Sequence, residues 1–167
     1  MKNLSLLVVL ILLSVVSCGR VTFNMSGASV GNARTCQINF FENRADLIYA
    51  PLSANITDAL KDKIQSSTSL KLVTTSADVL FEGEITGYSV QSQQVAASGM
   101  AQRDRLTVTV RVRFTNELDP DKSYEKSFSR FDEYPGGASL NSHESELVSN
   151  ILEELIEDIF NEAFAAW

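Results

Sequence analysis

The chain has 167 residues, a formal net charge of −7 at pH 7 and 44% hydrophobic residues. This length and apolar content suit one domain with a hydrophobic core. The acidic balance argues against a nucleic-acid partner, because nucleic-acid binding requires a basic surface.

The N-terminus is organised as a secretory signal. Lys2 precedes an apolar run from Leu4 to Val16, which is too short for a membrane span of about 20 residues. The run ends in Val-Val-Ser-Cys at residues 15–18, which resembles the lipobox of bacterial lipoproteins. This resemblance implies lipidation of Cys18; the alternative is an ordinary secretory signal with an incidental cysteine. No Asp follows Cys18, which by the same resemblance favours a lipid-anchored protein of the outer membrane that faces the periplasm.

Cleavage would divide the chain into three parts. Residues 1–17 are the lipoprotein signal peptide, residues 18–34 a lipidated, extended leader, and residues 35–167 a single α+β domain. The mature chain keeps 13 Lys and Arg against 21 Asp and Glu, or −8, because Lys2 leaves with the signal. Cys36 is the free thiol of the domain, and its place in an apolar alternation predicts a buried side chain.

A strand and a helix open the domain. Thr35 to Phe41 alternates between apolar and polar residues, which predicts the first strand. Pro51 suits the first turn of a helix, and Leu70 to Val73 is a short apolar run that leads into the second strand. The apolar stripe of the helix comprises Leu52, Ile56, Ala59, Leu60, Lys63 and Ile64.

Two alternating segments, Ala77–Tyr88 and Arg105–Phe114, predict the centre of the sheet. Antiparallel pairing with residue numbers that sum to about 193 keeps the apolar faces together and sets Glu82 opposite Arg111. A shift of two residues would preserve the faces. The inward set is Val79, Phe81, Gly83 and Ile85 in the first segment, and Leu106, Val108, Val110, Val112 and Phe114 in the second.

The connection between these segments, Ser89 to Asp104, is long for a hairpin. With a turn near Ala96 to Gly99, either both strands continue as a polar ribbon or the connection is a mobile loop. Tyr124 to Phe131 predicts the last strand, and an amphipathic helix follows it. That helix buries Val148, Ile151, Leu152, Leu155 and Ile159, with Phe160, Phe164 and Trp167 widening its apolar face.

This order of elements predicts a two-layer α+β sandwich, β-α-β-β-β-α. Two helices would pack on one face of a four-stranded mixed or antiparallel sheet, because two apolar-striped helices and a sheet with one apolar face can bury one another.

Catalytic and metal-binding signatures are missing from the sequence, so we expect no enzyme, no cofactor and no metal. The single histidine, His143, lies beside acidic residues and is expected on the surface. The one suggestive cluster is Arg103, Arg105, Arg111 and Arg113. Arginines can hold phosphate or carboxylate groups bidentately, although a salt-bridged wet face explains the cluster equally well.

Three segments resemble the LPS-assembly lipoprotein LptE family in its short form: ADVLFEGEITGYSV, RLTVTVRVRFTN and the terminal IEDIFNEAFAAW. The resemblance covers essentially the whole mature chain and implies two helices on a four-stranded sheet. It also implies a non-catalytic accessory, or plug, subunit of the outer-membrane β-barrel translocon (LptD-type) that delivers lipopolysaccharide to the outer leaflet. It supplies no residue site, so the four arginines are candidates on their chemistry alone, as contacts to anionic lipid phosphates or to carboxylates of the barrel.

Two other hypotheses compete with this one. The first is an outer-membrane lipoprotein that activates a periplasmic cell-wall synthase. A leader from residue 19 to residue 34 spans on the order of 20–25 Å, which is short for that task. The second, a lipid-modifying enzyme, lacks a nucleophile with an adjacent base.

Overall fold

The computed structural model describes residues 30–47, 49–93 and 102–164. Within these ranges the chain forms six strands and two helices, with short 3-10 turns before β6 and α2. In chain order they are β1 (Thr35–Ile38), β2 (Glu42–Asn43), α1 (Leu52–Ser67), β3 (Lys71–Leu72), β4 (Val79–Gln93), β5 (Arg103–Asn116), β6 (Tyr124–Pro135) and α2 (Glu144–Phe164).

The strands form one mixed sheet in the order β3-β1-β4-β5-β6. β1 and β2 lie one after the other along β4 and run parallel to it, while β4, β5 and β6 are antiparallel neighbours. The two-layer α+β architecture with two helices packed on the sheet is confirmed.

The predicted count of four strands is wrong, because two short strands are added. Thr35 to Phe41 is not one strand: β1 ends at Ile38, and the Phe41 side chain turns into the core with no exposed surface. Pairing resumes at β2. The run from Leu70 to Val73 forms β3, which pairs with β1 and is separated from β4 by a turn at Ser76, where φ is +56°.

The central antiparallel pair forms as predicted, but its register differs by two residues. Phe81 lies opposite Phe114, so the paired residue numbers sum to 195. This register sets Glu82 opposite Arg113 and Glu84 opposite Arg111, which matches both acidic residues with basic ones.

A β-bulge interrupts β4. Ile85 pairs with Val110, and Gly87 pairs with Thr109, so Thr86 is an extra residue on β4. Beyond the bulge the inward side chain is the even-numbered Tyr88, which is 5% exposed. The odd-numbered inward set therefore ends at Ile85.

Both central strands continue past the core. β4 extends to Gln93 and β5 begins at Arg103, as the ribbon alternative predicted for these residues. The expected turn at Ala96–Gly99 lies outside the described residues. β6 continues to Pro135, four residues beyond the predicted end at Phe131.

The core lies between the helices and one face of the sheet. All five predicted inward residues of β5 are fully buried, and so are Leu52, Ile56, Leu60 and Ile64 of α1. Ala59 and Lys63 of the predicted stripe are only partly buried. The predicted buried residues of α2 are confirmed from Val148 to Phe164, and Trp167 lies outside the described residues.

Two single residues bear on the chemistry. Cys36 is fully buried, as predicted, and burial raises the pKa of its thiol to about 12. His143 is partly buried and stacks on the Tyr134 ring at a centroid distance of 5.9 Å. Of the two helices in the described chain, neither has the length and apolarity needed to cross a membrane.

Candidate partner-binding face of the sheet

The face of β4, β5 and β6 that points away from the helices is open. Side chains of β5 alternate strictly, so that Leu106 to Phe114 at even positions enter the core and the odd positions remain on the outer face. All four candidate arginines are odd-numbered and lie on this outer face.

Arg111 and Arg113 lie at one end of this face, and we call them the first arginine pair. Around them, charges of opposite sign alternate from strand to strand. Arg111 contacts Glu84 of β4 at 3.2 Å. Arg113 turns to β6, where its Nε and Nη2 donate to Glu125 at 3.2 and 3.0 Å. The guanidinium groups stay half-exposed, so each keeps donors for an outside partner.

The second arginine pair lies at the ribbon end of the face. Arg105 donates two hydrogen bonds to Glu133 and lies over the Phe131 ring, 3.8 Å from its centroid. Arg103 reaches Glu133 at 3.6 Å. These arginines, Arg105 first, hold the pKa of Glu133 below its usual range.

Hydroxyl side chains separate the two pairs. Thr107 and Thr109 of β5 lie between them, and Thr109 Oγ1 is 2.9 Å from Ser129 Oγ on β6. At about 3.3 Å per residue, Arg105 and Arg111 are about 20 Å apart along the strand. The four arginines therefore form two local pairs and not one cluster.

A shallow groove of about 440 Å³ runs beside the first arginine pair. Its walls include residues that the sequence analysis did not identify, notably Glu125 and Phe40. Phe40 is 60% exposed. Phe40 continues the apolar alternation of Cys36 and Ile38, which by itself predicts a side chain that faces the core. The end of β1 at Ile38 reverses that alternation, and only the tertiary position of Phe41 shows it. The paired acids and bases around the groove suit reversible contacts with a polar surface.

The described residues contain no group of three or more His, Cys, Asp or Glu side chains placed to hold a metal ion. The predicted lipidation site, Cys18, lies outside the described residues.

Comparison with known proteins places the fold and the family. A search of curated proteins found no match to the chain. A minor lipoprotein from Acinetobacter baumannii has a similar structure, with a TM-score of 0.50, 12% identity, and coverage of 77% of this chain and 91% of the other. A Helicobacter pylori homolog of a neuraminyllactose-binding hemagglutinin gives a TM-score of 0.54, 8% identity, and coverage of 78% and 86%. At these identities the likeness concerns the fold.

The sequence carries the stronger evidence. Residues 33–163, most of the chain and nearly all of the described fold, match the family model described as LptE, lipopolysaccharide-assembly. The resemblance seen in the strand and helix segments is thereby confirmed. The chain belongs to the LptE family of lipopolysaccharide-assembly lipoproteins.

Proposed function

We propose that this protein is an outer-membrane lipoprotein, anchored through Cys18, that acts as the accessory or plug subunit of the β-barrel translocon that inserts lipopolysaccharide into the outer leaflet. In this role it faces the periplasm and works by binding, without catalysis. The observation that carries the proposal is the family match over residues 33–163.

The open sheet face supports a partner-binding role. Both helices pack on the opposite face, so the outer side chains of β4–β6 are free to meet another molecule. Arg111 and Arg113 are half-exposed. Their ion-pair partners, Glu84 for Arg111 and Glu125 for Arg113, are half-exposed as well. Because the charges alternate, this face suits a polar protein wall with complementary charges more than it suits unselective capture of an anion.

The four arginines are the proposed contacts. Arg103, Arg105, Arg111 and Arg113 would donate bidentate hydrogen bonds to carboxylates of the barrel or to anionic lipid phosphates. An outside acceptor must compete with Glu84, Glu125 and Glu133, so the contacts should be local and salt-sensitive.

Co-purification tests the role. The tagged full-length lipoprotein is extracted from membranes in mild detergent, and a large outer-membrane β-barrel protein is expected to accompany it in a fixed ratio. Recovery of the lipoprotein without such a protein would refute the proposal. Normal lipopolysaccharide export with a cell-wall synthesis defect in a depleted strain would instead support the cell-wall synthase activator.

The sheet face is tested in the same extracts. Arg111→Ala combined with Arg113→Ala is expected to lower the recovered β-barrel protein several-fold, and added salt should lower recovery by the wild type. Lys61→Ala with Lys63→Ala is the matched control, because it removes two ion-paired basic residues of α1, on the other side of the sheet. Unchanged recovery by the arginine variant at high salt would refute the contact proposal.

A further inference from the structure

One long edge of the sheet has no neighbouring strand. β6 is the last strand in the sheet order and has 12 residues. Within the described residues no element pairs with its outer side. A free edge presents backbone N–H and C=O groups that another extended chain can bind.

The alternation of hydrogen-bonded and non-bonded pairs between β5 and β6 shows which backbone groups of β6 point outward. Gly136 N–H donates to Gln102 O at 2.7 Å, next to the pairing of Arg103 with Pro135. In an antiparallel ladder, hydrogen-bonded pairs alternate with non-bonded ones. Even-numbered residues of β6 therefore bond to β5, and odd-numbered residues direct their N–H and C=O groups outward.

The last part of this edge is already capped. Pro135 is odd-numbered and has no N–H, and the Glu133 N–H donates to Asp132 Oδ1 at 2.7 Å. Both observations agree with this alternation. The open stretch is Ser127 to Phe131, whose outward backbone groups have no partner in the described chain.

A groove lies beside this stretch, between β6 and α2. The two elements run antiparallel, because Lys126 contacts Glu162 at 2.6 Å and Arg130 contacts Asp158 at 2.6 Å. Two hollows of about 480 and 640 Å³ follow one another along it. An edge strand flanked by a helix is the arrangement that accepts a peptide as an added strand.

The charge of the groove defines its occupant. The hollow next to Phe131 is lined by Asp132, Glu153, Glu154 and Glu157 and by no Lys or Arg. In the other hollow Lys126 and Arg130 are already paired to acids of α2. Glu157 pairs with Lys63 of α1, and Glu154 lies 3.6 Å from Arg130. Asp132 and Glu153 are the acids of the first hollow without a basic partner among the described residues, and they would attract basic side chains.

We propose that the free edge of β6 binds an extended segment of another protein, one that carries Lys or Arg at alternate positions. Its backbone would pair with Ser127 to Phe131, and its basic side chains would lie against α2. A second copy of this chain does not fit, because it would bring together two α2 helices that each have seven acidic residues and no Lys or Arg. The inference concerns a different surface from the arginine face and does not depend on the proposed function.

Peptide binding to the full-length protein in detergent tests this inference. The probe is a fluorescent eight-residue peptide of alternating Lys and Thr, and the control replaces Lys with Glu. Two further peptides are methylated on backbone nitrogens. The first is methylated at every Lys, and the second at every Thr. A strand directs alternate N–H groups to the same side, so one methylated version should lose tenfold or more in affinity and the other should bind as the parent does.

Variants of the protein give the matching test. Ser129→Pro removes one outward N–H and the hydroxyl contact with Thr109, but no backbone hydrogen bond to β5, and should lower affinity tenfold or more. Ser129→Ala loses the same hydroxyl contact, keeps the N–H and should bind normally. The methylated peptides need only the wild-type protein, so the test stands even if Ser129→Pro fails to fold. Equal binding of the Glu peptide, or loss by both methylated peptides or by neither, would overturn the proposal. So would dimerisation of the free protein that Ser129→Pro abolishes.

Discussion

Gly83 decides how closely the core can approach the middle of β4. A Cβ atom built there would lie 2.3 Å from Cε1 of Phe41, far inside van der Waals contact. Phe41 is fully buried and cannot move into solvent. Glycine is therefore required here by packing, since its absent side chain is the space that the aromatic ring fills.

Gly83→Ala should lower the free energy of unfolding by about 1–3 kcal/mol, because it overpacks the core. Gly87→Ala, in the same strand, is the matched control, since its Cβ would contact Thr109 with a closest approach of 3.2 Å, to the side chain. Urea denaturation measures both. Combining Gly83→Ala with Phe41→Leu should recover part of the loss, and strict additivity of the two changes would contradict the packing argument.

Asp78 ties the start of β4 to the start of β1. Its Oδ2 accepts hydrogen bonds from the N–H groups of Arg34 and Thr35 at 2.8 and 2.9 Å, and from Thr35 Oγ1 at 2.9 Å. These donors, the Arg34 N–H first, lower the pKa of the Asp78 carboxyl from its ordinary value. The folded state therefore favours the carboxylate.

Asp78→Asn should lower the melting temperature at pH 7 by a few degrees, because charged hydrogen bonds are lost. Because the pKa of the Asp78 carboxyl is lower in the folded state than in the unfolded state, the carboxylate stabilises the fold at pH values above its unfolded-state pKa. This stabilisation is lost as the pH falls through the folded-state pKa. The difference from wild type should thus narrow below about pH 4. Exposed Asp62→Asn serves as the control, and a pH-independent difference would contradict the assignment.

Among the secondary-structure elements, β4 changes its pattern of inward side chains at the bulge. Val79 to Ile85 point inward at odd numbers, whereas Tyr88 points inward at an even one. Thr86 is the extra residue that makes both possible. Tyr88 can then donate from its hydroxyl to Glu144 at the start of α2.

Deleting Thr86 should be tolerated, because it removes the bulge and leaves every inward residue of β4 inward. Deleting Glu84 instead would turn Ile85 outward, and should cost about 1.5–3 kcal/mol more in unfolding free energy. Thermal and urea unfolding of the two deletions give the comparison. Equal losses in both would show that Thr86 is not the extra residue.

At the scale of the whole molecule, the proposed lipid anchor explains how a protein without a spanning helix in its described part would stay at a membrane. A single acyl chain binds only marginally, and the two or more chains that lipoproteins carry anchor stably. The proposed role at a translocon depends on this anchor at Cys18.

Cys18→Ser should abolish incorporation of radiolabelled palmitate into the full-length chain. The reason is that the thiol at the end of the signal would be the acceptor of the lipid. Cys36→Ser is the control, because Cys36 is fully buried and should leave labelling unchanged. Equal labelling of Cys18→Ser and wild type would contradict the lipobox reading.

Local patterns along the chain were enough to predict the inward faces of β5 and α2, the α+β class and the family resemblance. Each depends on local periodicity, which burial on one face imposes along a continuous element. Both Glu82 and Glu84 could also have been matched to arginines from the sequence, which would have selected the observed register.

Features that depend on residues far apart in the chain could be recognised only in the folded protein. The split between β1 and β2 accompanies the packing of Phe41 on Gly83. The bulge allows both Ile85 and Tyr88 to point into the core. The ion-pair partners of Arg105 and Arg113 depend on β6, which supplies Glu133 and Glu125. The free edge of β6 and its acidic groove arise because strand order and helix placement are properties of the assembled fold, which local alternation does not encode.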